Sequence, residues 1–93
     1  MKVELHFTEG FDGDPVEVVS EGVLLGRLTL TTRLQIGLAE IMPVEADGDI
    51  RVMLPERRIA VQFPIRSAEP YVEIRLVEDE LVAIHLDRSP GYL

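Results

Sequence analysis

The chain has no cysteine and no tryptophan, and only three Phe and two Tyr in 93 residues. Without a thiol there is no disulfide framework, no thiolate zinc site and no Cys nucleophile. With so few rings, Val, Leu and Ile must fill the core, and an aromatic-lined carbohydrate groove is disfavoured. No apolar run approaches the roughly 20 residues of a membrane helix, and no basic-then-apolar leader follows Met1. A cytoplasmic protein of bacterial type is therefore expected. Positive charge is also scarce: nine Lys and Arg face 17 Asp and Glu, for a net charge of −8. Such a surface repels nucleic-acid backbones and anionic membranes, so neither is expected as a partner. The one basic pair, Arg57-Arg58, follows Glu56. An acidic balance suits solubility, a basic partner or metal ions.

What is present is period-two hydrophobicity over the length of one domain. In "KVELHF", Val3, Leu5 and Phe7 alternate with Lys2, Glu4 and His6. "GFDGDP" breaks that run as an acidic turn, and "VEVVS" resumes it with Val16 and Val18 on one face. "EG" at 21–22 reads as a hairpin link to "VLLGRLTLTTR", where Leu24, Leu28 and Leu30 share a face that also carries Gly26. "LQIGLAEIM" is read as a strand with an irregularity between Gly37 and Glu40. Leu34, Leu38 and Ile41 fit helical spacing too, but Gly37 and Pro43 argue against a helix. "EADGDI" carries the Asp-Gly hairpin signal. Then come "IRVMLP" with Ile50, Val52 and Leu54 on one face, "IAVQFPI" with Ile59, Val61, Phe63 and Ile65 inward, "YVEIRLV" with Val72, Ile74 and Leu76 hidden, and "LVAIHL" with Val82, Ile84 and Leu86 expected to be hidden. Pro64 marks an edge strand. The expected fold is all-β: a single-domain antiparallel β-sandwich of seven or eight short strands spanning residues 1–93.

The order of these features resembles the small bacterial β-sandwich domains of the transthyretin-like and carboxypeptidase-regulatory-like kind. The resemblance rests on "KVELHF", the "VEVVSEGVLLGRLTL" hairpin, the "GLAE" crossover and the "YVEIRLVEDELVAIHL" hairpin. An enzymatic branch of the transthyretin relatives hydrolyses a purine-breakdown product and carries a C-terminal Tyr-Arg-Gly-Ser signature. This tail reads "SPGYL", so the resemblance implies architecture and not that activity. Other relatives serve mostly as accessory or adhesion modules.

Candidate chemistry is sparse. Asp12 and Asp14 place two carboxylates on a turn, though without the EF-hand pattern. If each strand runs antiparallel to the one before it, this turn shares an end of the domain with "EDE". Asp12, Asp14, Glu78, Asp79 and Glu80 then form a candidate calcium site, which Arg57 and Arg58 at the same end could neutralise instead. His6 and His85 sit on the polar parity of the first and last strands. They are expected to be exposed, and would approach a zinc geometry only if those strands were neighbours. Ser20, Ser67 and Ser89 lie in no nucleophile elbow. His85, Asp87 and Ser89 line one face about 7 Å apart and cannot converge as a triad. No phosphate-cradling glycine loop is present.

Apolar residues also fall on the parity opposite the core: Val19, Val23, Leu25, Met53, Leu81 and Ala83. Either a partner covers them or bulges swap their parity into the core. On the first alternative, Val23, Leu25, Met53 and Leu81, with Tyr92 and Leu93 of the tail, are the candidate interface. The expected function is a non-catalytic binding or protein-interaction module without a cofactor, acting through an apolar sheet face or edge strand on a protein partner or a second copy as a homodimer. The alternative is a calcium-binding module with an acidic loop end. A small transthyretin-like hydrolase is disfavoured.

Overall fold

A computed structural model describes residues 1–90 and holds eight strands and no helix among them. The strands are β1 (Lys2–Phe7), β2 (Asp12–Ser20), β3 (Val23–Thr31), β4 (Glu40–Glu45), β5 (Ile50–Leu54), β6 (Ile59–Phe63), β7 (Tyr71–Val77) and β8 (Glu80–Leu86). They form two four-stranded sheets, ordered β4-β1-β7-β8 and β3-β2-β5-β6. One apolar cluster draws on both. The first sheet supplies Val3, Leu5, Phe7, Val72, Ile74 and Leu76, the second Val16, Val18, Ile50, Val52 and Leu54. As the composition requires, aliphatic side chains dominate, with Phe7, Phe11 and Phe63 the only buried rings of that cluster.

One expectation of strand direction is corrected. β1 pairs with β4 antiparallel but with β7 parallel, so the sheets are not wholly antiparallel. A parallel pair needs a long crossover, and here the whole second sheet lies in sequence between β1 and β7.

Parity is set by turns. Glu78 and Asp79 have φ of 50° and 61°, a two-residue turn of the primed type, and Val77 pairs with Glu80. Partners across such a turn differ in number parity. Leu76 therefore faces Leu81 and Ile74 faces Ala83. This reverses the expected inward set of β8. Leu81 is buried and Ala83 packs on the core, while Val82 and Ile84 are 38% and 36% exposed. The same turn geometry recurs at Glu21-Gly22, but there an extra residue, Leu25, bulges from β3. The bulge restores the parity, so that Leu28 lies opposite Val16 and Leu30 opposite Asp14.

The stretch 34–39 is a turn and not a strand. Arg33 and Leu38 bridge, the Ile36 and Gly37 amides donate to the Arg33 carbonyl, and Gly37 takes a φ of 65°. The alternation of Leu34, Ile36 and Leu38 is spent on a chain reversal that leaves Leu34 90% exposed. Pro43 and Pro64 both belong to edges: Pro43 lies inside β4, and Pro64 immediately follows β6.

Gly10 shows why the β1–β2 connection is compact. Its φ is 96°, and a Cβ there would overlap the Leu76 carbonyl oxygen. Next to it the Leu76 amide donates to the Glu9 carbonyl at 2.9 Å. Gly13 also has a positive φ, 67°, but faces open space. Gly10→Ala is therefore expected to cost about 3 kcal/mol or more, strain plus displaced backbone, and Gly13→Ala about 1–2 kcal/mol of strain alone. Urea unfolding of the two variants beside the parent checks the order.

Candidate functional site

The "GFDGDP" stretch is not a free loop. Asp12 pairs with Thr31 and Asp14 with Leu30, leaving Gly13 as the extra residue of a bulge at the start of β2. Beyond the bulge, Asp14 continues the buried row of Val16, Val18 and Ser20 by plain alternation and is 7% exposed. Its carboxylate is met on two sides. Oδ2 accepts the Asp12 amide at 2.8 Å, and Arg57 donates from Nε to Oδ1 at 2.6 Å and from Nη2 to Oδ2 at 3.3 Å. Arg57 stands in the turn between β5 and β6, which closes through the Arg57 amide to the Leu54 carbonyl and the Arg58 amide to the Pro55 carbonyl. Its Nη1 donates to Asp79 Oδ1 at 2.7 Å. A single guanidinium thus ties a strand of one sheet to the β7–β8 turn of the other.

Burial alone would raise the Asp14 carboxyl. The Arg57 hydrogen bonds, the Asp12 amide and the Arg57 charge together outweigh it and hold the group below the usual carboxylate range. The same contacts, Asp14 first, push the Arg57 guanidinium up, against the smaller effect of desolvation. Asp14, Asp79 and Arg57 therefore do share one end of the domain. Between the two carboxylates lies a guanidinium in the place a cation would take. Asp12, Glu78 and Glu80 are exposed nearby in sequence, and no group of three or more His, Asp or Glu side chains gathers to hold a metal among the described residues.

The two histidines part company. β7 lies between β1 and β8, so His6 and His85 are not on neighbouring strands. His6 is fully buried, a correction to its expected exposure, with its Nε2 2.8 Å from Glu4 Oε1 and its ring edge-on to Tyr71. His85 turns to the core side with Leu81 and Ala83. Its Nε2 lies 2.9 Å from the Pro64 carbonyl oxygen, and its ring is edge-on to Phe63. It thereby joins the rim of β8 to the end of β6.

The candidate interface residues do not share a surface. Leu81 belongs to the core, which corrects its assignment to an outer face, because the β7–β8 turn puts it opposite Leu76. Leu25 packs against the core from its bulge. Val23 is 60% exposed at the β2–β3 turn, and Met53 is half-buried on the outer face of the second sheet. Tyr92 and Leu93 lie outside the described residues. The exposed apolar residues that do line up are Val82 and Ile84 on the outer face of β8, with Leu86 half-buried beyond them.

Thr8 and Ser20 carry roles that strand periodicity gave no reason to assign. Buried Thr8 donates to Glu73 Oε2 at 3.0 Å, and Arg75 holds the same carboxylate through Nε and Nη2. The Glu73 contacts push the Arg75 guanidinium up. Ser20 donates to the Asp49 carbonyl at 2.9 Å and so fastens the β4–β5 connection. For Ser20 the available signal was a hydroxyl continuing the row of Val16 and Val18; Thr8 follows the polar row of Lys2, Glu4 and His6 and gave none. No side-chain donor or acceptor is buried without a partner among the described residues.

Comparison of the chain with protein-family models, with curated proteins and with solved structures finds no match. No helix long and apolar enough to cross a membrane is present among the described residues.

A carboxyl whose folded pKa is depressed contributes stability above its unfolded pKa, and that stability is lost as pH falls through the folded value. Asp14→Asn should lower the melting temperature at neutral pH, more than Asp79→Asn does. Arg57→Met should lower it at least as far as Asp14→Asn, because a buried carboxylate is left without its cation. The Arg57→Met deficit should shrink as pH falls toward and through the ordinary carboxylate range, because burial raises the Asp14 carboxyl once Arg57 is gone. Melting curves of the three variants from neutral to acid pH test the order and the sign.

Proposed function

We propose that the two sheets stack as a β-sandwich and that the protein is a non-catalytic, cytoplasmic interaction module that pairs through the edge strand β8. The observation that carries this reading is the state of the four sheet edges. Long, unprotected edges are pairing templates, and proteins ordinarily blunt them with proline, bulges, charge or short length. β4 contains Pro43, β6 is a five-residue strand followed by Pro64, and β3 is bulged at Leu25. β8 runs seven residues with no proline, glycine or bulge, and it turns Val82 and Ile84 to solvent.

Pairing of β8 with β8 of a second copy about a two-fold axis would join two sheets into one and set the two apolar rows side by side as cross-strand neighbours. Shared ownership of one core by both sheets supports the stacked arrangement. The likeness to transthyretin-like domains contributes architecture to this reading and no chemistry. The guanidinium seated between Asp14 and Asp79 disfavours the calcium alternative.

Light scattering coupled to size exclusion tests the proposal. A dimer mass that rises with concentration, and that collapses to the monomer in a Val82→Lys, Ile84→Lys double variant of unchanged melting temperature, is the expected result. A monomer mass for the parent at the highest attainable concentration, or a dimer indifferent to both substitutions, overturns it.

A further inference from the structure

The outer face of the second sheet holds a groove that the edge-pairing reading does not use. Its volume is about 380 Å³, and its floor is Met53 and Ala60, directly paired across β5 and β6. Pro55 and Ile59 close one side. A neighbouring recess toward β3 shares its Glu17 and Pro55 walls, so the depression continues across the sheet.

Its charge is opposite to that of the protein. Arg51 and Arg58 line the groove, and both are exposed. Neither guanidinium makes a hydrogen bond or ion pair with any described residue, whereas Arg27, Arg57, Arg66, Arg75 and Arg88 are each matched by a carboxylate. Three of the carboxylates nearby are engaged. Glu17 is held by Arg27 at 2.8 Å, Asp49 accepts from Gln62 at 3.3 Å, and Asp79 is held by Arg57 at 2.7 Å. Glu56, in the turn that carries Arg58, and Glu80, in an adjoining recess with Ile59 and Ala60, are exposed. A chain of net charge −8 thus places two uncompensated cations around an apolar floor.

We infer that this groove binds an acidic peptide segment in extended form, with carboxylates at alternate outward positions flanking one apolar side chain. The spacing follows from the strand. Arg51 lies on β5 three residues before its last, Leu54, and Arg58 lies beyond that end in the turn. Three residues of strand rise about 10 Å, so the two guanidinium groups are set to meet side chains at i and i+4 of an extended segment, about 13 Å apart. The side chain at i+2 then falls over Met53. Arginine suits the task because its planar fork binds a carboxylate through two parallel hydrogen bonds. A sheet face open to solvent accepts a segment of chain more readily than it encloses a small molecule. This surface lies on the opposite sheet from Val82 and Ile84, although its Ile59 and Ala60 adjoin Glu80 and Leu81 of β8 in a neighbouring recess.

The probe is a fluorescein-labelled, end-blocked heptapeptide, Thr-Glu-Thr-Leu-Thr-Glu-Thr, titrated with the full chain and followed by anisotropy. Its control has lysine in place of both glutamates. Saturable binding of the glutamate peptide alone is expected, weakened about tenfold or more by Arg51→Glu with Arg58→Glu and weakened again by added salt. Both sites are exposed, so an unchanged melting temperature should accompany the loss. Val82→Lys with Ile84→Lys should leave the affinity unchanged, which separates failure here from failure of the β8 edge.

The inference is overturned by equal binding of the lysine peptide, by absence of saturation, or by indifference to the arginine substitutions. It is also overturned if hexanoate displaces the peptide at equal concentration, which would make this a small-carboxylate site. Loss of a dimer on Arg51→Glu would overturn it too, by showing that a second copy occupies the groove.

Discussion

Register is the constraint on which the rest of this structure depends. Each sheet has only one row per strand to offer the core, and the core is built almost wholly of Val, Leu and Ile. A slip of one residue would turn a whole row outward. Narrow turns prevent that slip. Glu21-Gly22 and Glu78-Asp79 each hold two positive φ angles, and each fixes which residue faces which across its hairpin. Two of those four positions are glutamates, which take the left-handed region at a cost of roughly 1–2 kcal/mol. The strain is tolerated because the paired strands over-determine the turn.

The same constraint explains what the sequence made legible. Alternation alone places the buried rows of β1, β5, β6 and β7 correctly, and the turn residues mark most element ends. It fails where turn geometry outranks hydrophobicity. In "ELVAIHL" two interleaved rows are both apolar, so hydrophobicity does not choose between Leu81–Ala83 and Val82–Ile84; the two-residue turn does. In "LQIGLAE" alternation is present but Gly37 reverses the chain. His6 and Thr8 were unreadable for another reason. Their burial follows from what lies across the sheet, such as Tyr71 and Glu73, and no local pattern carries that information.

The shared end of the acidic turns was legible, but not the state of the charges there. Topological alternation put Asp14, Asp79 and Arg57 together, and every strand pair agrees with it: β1 and β7, both odd in the succession, run parallel, and each odd–even pair runs antiparallel. The extension of β2 back through Asp14 decides the chemistry. Asp14 continues the buried row of Val16 and Val18 by plain alternation, and a carboxylate there needs a cation or strong donors. Arg57 supplies the cation and two donors at once. One guanidinium serves both carboxylates because of its fork: it reaches Asp14 with Nε and Nη2 and still has Nη1 for Asp79.

Arginine placement then separates structure from recognition. Five arginines are matched to carboxylates at distances between 2.6 and 3.4 Å, and their charge is absorbed within the fold. Of the other three, Arg33 lies in the connection before β4, and Arg51 and Arg58 stand together beside Met53 and Ala60, none matched to a carboxylate among the described residues. In a chain with almost twice as many acidic as basic residues, a nearby carboxylate is easy to place. Glu17 sits on the same wall, yet it is engaged by Arg27 across the β2–β3 pair, where Glu17 and Arg27 face each other directly. The cross-strand register that commits Glu17 to Arg27 is what leaves the groove cationic. The bulge at Leu25 maintains that register, so the parity device that completes the core also sets the sign of the outer face.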